Sequence, residues 1–158
     1  QALANVAAGT NNTAVGRSAG QAVTTGVQNT LIGGLAGDAL TDADFNVAVG
    51  AQALSTDTLG SRSVAIGQHA LQVQNFTTAT NSYNVAVGYD AGVSVTNGIQ
   101  NTFVGGLAGD ATDDGSYNIA VGHLALSADC GDSNVAIGYD ALLSYTGSRV
   151  NRHRVRCS

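Results

Sequence analysis

The chain has 158 residues, with 21 Gly and no Lys, Glu, Met, Trp or Pro. Without Lys, Glu and Met much of the usual helix-forming material is missing, and recurrent Gly among Val, Ile and Thr suits short strands broken by tight turns. The net charge of −5 is uneven: residues 1–148 hold all eleven Asp against Arg17 and Arg62, while residues 149–158 hold four Arg, so the acidic body argues against a nucleic-acid partner.

No apolar run approaches the ~20 residues that span a bilayer, and no signal peptide is visible, so membrane insertion is not expected. The opening Gln1-Ala2-Leu3 matches Gln52-Ala53-Leu54, inside a later repeat, and reads as the end of a repeat cut from a longer pattern.

The first recognisable element is the phrase Asn12-Thr13-Ala14-Val15-Gly16. It recurs as Asn29 to Gly33, Asn46 to Gly50, Ser63 to Gly67, Asn84 to Gly88, Asn101 to Gly105, Asn118 to Gly122 and Asn134 to Gly138. The closing glycines Gly16, Gly33, Gly50, Gly67, Gly88, Gly105, Gly122 and Gly138 are 17, 17, 17, 21, 17, 17 and 16 residues apart. A fixed short period is the signature of a repeat architecture.

Within a phrase, side chains alternate as in a strand. Val47 and Val49 share one side, as do Val64 and Ile66, and these branched residues are the expected core. Ala48 and its equivalents (Leu31 and Phe103 in two copies) take the other side, where little room is left. Gly then turns the chain. After two variable positions, Ala followed by Leu or Gly reads as a second short strand, and an Asx- and Gly-rich loop leads to the next phrase. Each unit is therefore one coil, which buries its apolar side only by stacking on the next at ~4.8 Å. The expectation is an all-β, parallel β-solenoid of about eight coils with a 16–17-residue repeat, roughly 40 Å long. The leading Asn12, Asn29, Asn46, Asn84, Asn101, Asn118 and Asn134 are expected to form a hydrogen-bonded ladder. Helix is a poor competitor, because each apolar stretch ends in Gly after four or five residues.

A longer period overlies the short one. Asn12, Asn29 and Asn46 match Asn84, Asn101 and Asn118 at an offset of 72. The solenoid domain is thus assigned to residues 1–142, as two four-coil blocks over about 12–71 and 84–142, with 143–158 as an Arg-rich terminal segment. The Gln72–Tyr83 loop between the blocks has four extra residues and is the expected protrusion. Cys130 and Cys157 are too few for a disulfide framework; one bridge or two free thiols both fit.

The repeated phrase, as in Ser63-Val64-Ala65-Ile66-Gly67 and Asn84-Val85-Ala86-Val87-Gly88-Tyr89-Asp90-Ala91-Gly92, resembles two related groups: the heads of trimeric autotransporter adhesins, and the repeat regions of phage tail fibres. The resemblance covers about residues 1–142. It implies a left-handed parallel β-roll, three chains side by side, and a surface-exposed fibre on a virion or cell. The period near 17 residues is longer than that of the adhesin heads and favours the fibre group. The Arg149–Ser158 ending matches neither.

Chemistry-bearing residues are sparse. Asp38, Asp42 and Asp44 in one block, with Asp110, Asp113 and Asp114 in the other, form matching acidic turns that suit either solvation or Ca²⁺. Asp90 and Asp140 lie three coils apart, roughly 14 Å by strand spacing, too far to act as a catalytic carboxylate pair in one chain. His69, His123 and His153 lack metal-ligand spacing. The two positions after each closing Gly vary widely, and among them Gln68, His69, Tyr89, Asp90, His123, Tyr139 and Asp140 read as a contact stripe for a glycan or protein receptor. An ice-binding Thr ladder is not sustained, since only Thr13, Thr30 and Thr102 occupy the relevant place. The sequence therefore reads as a structural and binding protein rather than an enzyme: a fibre or spike segment, an adhesin head, or a subunit that polymerises end to end.

Overall fold

The computed structural model describes residues 1–153, the last three by backbone alone. Its elements in chain order are β1 (Thr13–Val15), β2 (Thr30–Ile32), β3 (Val47–Val49), β4 (Gly60–Ser61), β5 (Val64–Ile66), β6 (Thr80–Asn81), β7 (Val85–Val87), β8 (Thr102–Val104), β9 (Ile119–Val121), β10 (Val135–Ile137) and β11 (Asn151–His153). Every phrase becomes one three-residue strand. The strands pair in parallel as one sheet, β1-β2-β3-β5-β7-β8-β9-β10-β11, and β4 pairs with β6 in a second, small sheet. Register follows the repeat: Val47, Ala48 and Val49 lie against Val64, Ala65 and Ile66. One period is therefore one turn of an all-β parallel solenoid, and no described residue is helical.

The closing glycines show why the phrase must end as it does. Gly50 has φ of 138°, and a Cβ there would overlap the carbonyl of Gly67 in the next coil. Only a residue without a side chain allows the turns to stack this closely.

The two faces of the strand are the reverse of the expectation. The middle residues Leu31, Ala48, Ala65, Ala86, Phe103, Ala120 and Ala136 are fully buried, whereas Ile66, Val104 and Val121 are 37% exposed and Ile119 is 40% exposed. The Val/Ile columns point outward, and the Ala column points into the coil. The reason is volume. A turn of 17 residues encloses a narrow interior, and a second buried column of Ala19, Ala36, Ala53, Ala70, Ala91, Ala108, Ala125 and Ala141 already lines it. The space between the strand's middle residue and the residue after the buried Ala takes one larger side chain in most coils. Leu54, Leu71 and Leu126 supply it beside Ala48, Ala65 and Ala120, whereas Leu31 and Phe103 supply it from the strand where Gly37 and Gly109 stand in the leucine's place. Where both are small, as at Ala14 with Gly20 and Ala86 with Gly92, Leu31 and Phe103 of the following coil reach in. Each buried Leu contributes about 2 kcal/mol of apolar burial.

The expected second strand after each phrase is also absent. That segment is a run of turns with left-handed residues at fixed places, as in Gln52 (φ 57°) and Leu54 (φ 54°). A left-handed residue breaks the pleat, at roughly 1–2 kcal/mol each. Coil-to-coil hydrogen bonds offset that cost: Gln52 donates its N–H to the Gly34 carbonyl at 2.9 Å, and Leu54 to the Ala70 carbonyl at 3.0 Å.

The asparagine ladder forms as expected. Asn29 Oδ1 accepts the Asn46 N–H at 2.9 Å, and Asn29 Nδ2 donates to the Ala43 carbonyl at 2.7 Å. Asn46, Asn84 and Asn101 repeat the arrangement, each fully buried. At the fourth phrase Ser63 is too short to continue it. A buried group replaces the missing amide: Gln74 Nε2 donates to Asp57 Oδ2 at 2.6 Å and to Ser63 Oγ at 2.9 Å, and Gln74 Oε1 accepts from Asn84 Nδ2 at 2.8 Å. Asp57 Oδ1 also accepts the Gly60 and Phe76 N–H groups, each at 3.0 Å.

That group sits where the two blocks meet. The Gln72–Tyr83 loop returns to the body as β6, so the protrusion shrinks to the exposed Thr77, Thr78 and Ala79. Beyond residue 142 the solenoid continues: β11 extends the sheet, with Val135 opposite Asn151. The segment 143–158 is thus not separate from the rod over residues 151–153, while Cys157 and the rest of the Arg-rich end lie outside the described residues.

Candidate interaction surface

The outward side of the main sheet is built from two columns. Thr13, Thr30, Val47, Val64, Val85, Thr102, Ile119 and Val135 form one, and Val15, Ile32, Val49, Ile66, Val87, Val104, Val121 and Ile137 the other. Neither contains a charge. An apolar strip running the length of a rod exceeds the scattered apolar exposure that a lone soluble chain tolerates. Most of the sequence's polar atoms are elsewhere, on the turns.

Two edges border this face. The first is the variable stripe after each closing Gly, and the structure gathers its predicted residues into two groups. His69 Nδ1 lies 2.9 Å from Asp90 Oδ1, His69 Nε2 lies 3.1 Å from Gln52 Oε1, and the Tyr89 ring leans on the His69 ring at 6.3 Å. Asp90 beside Tyr89 pushes the phenol pKa up, through a hydrogen bond and its charge. The second group is His123 and Tyr139, stacked at 5.7 Å with rings 8° from parallel. The Gly106-Leu107 coil separates the groups. Gln68, Tyr89, His123 and Tyr139 are exposed, while Asp90 and Asp140 are half-buried.

The second edge was not anticipated from the sequence. The residue immediately before each ladder position is left-handed in every coil: Asn11, Gln28, Phe45, Arg62, Tyr83, Gln100, Tyr117, Ser133 and Arg149, with φ from 52° to 64°. This conformation throws large side chains outward beside the sheet. Tyr83 and Tyr117 are 49% and 50% exposed. The Arg62 guanidinium lies 4.5 Å from the Phe45 ring centroid, and its Nε donates to Asn81 Oδ1 at 3.1 Å. The available signal was the recurrence of bulky residues one place before the ladder Asn.

The acidic turns are occupied in tying coil to coil. Thr25 Oγ1 donates to Asp42 at 2.5 Å and the Val27 N–H to Asp44 at 2.8 Å, while Thr96 Oγ1 lies 2.5 and 2.6 Å from Asp113 Oδ1 and Asp114 Oδ1, which share its one proton. Asp38 and Asp110 each keep one buried oxygen without a partner, and burial raises the Asp38 pKa. Asp113, Asp114, Asp129 and Asp132 border an open depression of about 340 Å³. Among the described residues, no three His, Cys or Asp side chains converge as a metal-ligand set. Nor does any helix among them have the length and apolarity to cross a membrane.

Compared with known proteins, the chain matches no family model, and neither a curated protein nor a solved structure matches it significantly.

Proposed function

We propose that this chain is a rigid segment of a trimeric fibre or spike of the phage tail-fibre type, which spaces or presents an attachment surface outside the cell. The observation that carries this reading is the uncharged face of Val, Ile and three Thr that the main sheet turns outward from β1 to β10. Such a face suits burial against further copies of the same rod, because each copy offers the same apolar columns at the same coil spacing. Stiffness comes from the backbone pairing of every coil with the next and from the buried asparagine ladder. Recognition of a surface glycan or protein falls to the edge carrying Gln68, His69, Tyr89, Asp90, His123, Tyr139 and Asp140, which the rods leave at their margins. Resemblance of the repeated phrase to fibre repeats supplies the number three.

The test is to place a charge on the face. Val104→Asp or Ile66→Asp leaves the coil interior untouched, so each variant keeps its fold by circular dichroism while its sedimentation falls to that of a single 15.7 kDa chain. Unchanged sedimentation of both variants would remove the face from the assembly.

A further inference from the structure

We propose that the edge formed by Phe45, Arg62, Tyr83, Gln100 and Tyr117 binds an extended, hydroxyl-rich polysaccharide laid along the rod axis. One sugar ring stacks on Tyr83 and the next but one on Tyr117. This proposal rests on the rod alone and not on its assembly.

Spacing is the first ground. Tyr83, Gln100 and Tyr117 occupy one column in three successive coils, so the backbones that carry the two phenols stand about 10 Å apart, two strand spacings. The column is fixed by its backbone: Gln100 donates its N–H to the Ser82 carbonyl at 2.7 Å, and Tyr117 to the Ile99 carbonyl at 3.0 Å. In an extended β-linked sugar chain, successive rings turn over, so every second ring presents the same face at a comparable repeat. The rod thus offers a ruler that is set before the ligand arrives.

Chemistry is the second ground. Both tyrosines are half exposed, and neither hydroxyl has a hydrogen-bond partner among the described residues. A sugar's apolar ring face and its hydroxyl rim match a phenol's apolar body and polar tip. Gln100, between the rings, can donate and accept where the intervening sugar carries its hydroxyls, and Arg62, beside Tyr83, can donate. Arg62 is pre-set by stacking on Phe45 and by its bond to Asn81. On the opposite edge Tyr89 and Tyr139 are exposed as well, but they stand three coils apart, a spacing that an every-second-ring repeat does not match. An extended proline-rich peptide has a similar three-residue repeat, about 9 Å. It needs apolar walls between the rings, and here the intervening positions are polar.

The experiment is affinity electrophoresis of the full chain in native gels containing hydroxyethyl-cellulose, with dextran as the polymer that lacks the alternating-face repeat. Tyr83→Asn and Tyr117→Asn are the variants, because Asn tolerates left-handed backbone and already occupies this column at Asn11. Retardation by hydroxyethyl-cellulose alone is expected, weakened at least tenfold in each variant and unchanged in Thr77→Ala, an exposed position of the loop between the blocks that belongs to neither edge. Equal retardation by dextran, none by either polymer, or retardation indifferent to both substitutions would overturn the proposal. So would binding of a polyproline peptide at these tyrosines without polysaccharide retardation. Measuring the mass of each variant in parallel separates this edge from the assembly. Loss of retardation at unchanged mass supports the proposal, whereas protection of both tyrosines from nitration in the wild type would mean that another copy covers the edge, and would overturn it.

Discussion

The Phe103 ring packs directly on Gly109: a Cβ built there would meet Phe103 Cδ1 at 2.6 Å. The equivalent pair one coil later is Ala120 and Leu126, both fully buried. At this pair of positions the interior thus accepts one large side chain, from the strand or from the turn, and not from both. Phe103→Ala is expected to cost about 3–5 kcal/mol and Gly109→Leu about 1–3 kcal/mol. The double variant rebuilds the Ala120/Leu126 arrangement, so its loss should fall short of the two single losses combined by at least ~1 kcal/mol. Urea unfolding of all four proteins measures this coupling, and additive losses would contradict the shared-space reading.

The asparagine ladder predicts unequal costs at chemically identical positions. Asn46 satisfies the Ser63 N–H and the Gly60 carbonyl, so Asn46→Ala strands two buried backbone groups, at roughly 1–3 kcal/mol each. Asn118 accepts the Asn134 N–H, but its own Nδ2 has no partner, because the following period is one residue short. Asn118→Ala should therefore cost about half as much. Thermal unfolding of both variants checks the order.

Burial raises the Asp57 pKa above its usual 3.8, against the donors Gln74, Phe76 and Gly60, which pull it down. The native state then holds the proton more tightly than the unfolded chain does. This contribution to stability is complete below pH 3.8 and is lost as pH rises through the native value. Asp57→Asn keeps an acceptor for the Gly60 and Phe76 N–H groups but cannot titrate. Its stability should gain on the wild type as pH rises through that window and then hold a constant offset. Parallel profiles from pH 3 to 7 would count against a raised Asp57.

Cys130 is buried, hydrogen-bonded to Thr112 Oγ1 at 3.5 Å, and burial pushes its thiol pKa up. Iodoacetamide should label it slowly in the native protein and at the ordinary rate in urea, as read by peptide mass. Fast native labelling would show that the last coils open locally.

Much of this architecture was legible in the phrase. Period two set the strands, the period near 17 set the coil, and the recurrent Asn set the ladder. Which side of the strand faces inward was not legible from alternation, because Val47/Val49 and Ala48 are both apolar. The deciding clue lay in the exchange of Leu31 with Gly37 and Phe103 with Gly109, which only a shared, confined interior requires. The turns were obscured differently. Leu54, Gln52 and Phe45 adopt left-handed backbone without being Gly or Asn, because stacking supplies a partner for each N–H. The Tyr83–Tyr117 edge went unseen for the same reason, since nothing in a Tyr signals that its backbone is left-handed.

The central claim is that the Val/Ile face is covered by other copies of this chain. The most direct measurement is the solution mass of the wild type, by light scattering on a size-exclusion column. A single discrete species of three times 15.7 kDa is expected. A stable 15.7 kDa monomer at micromolar concentration would contradict it, and would leave the apolar face to a partner of another kind.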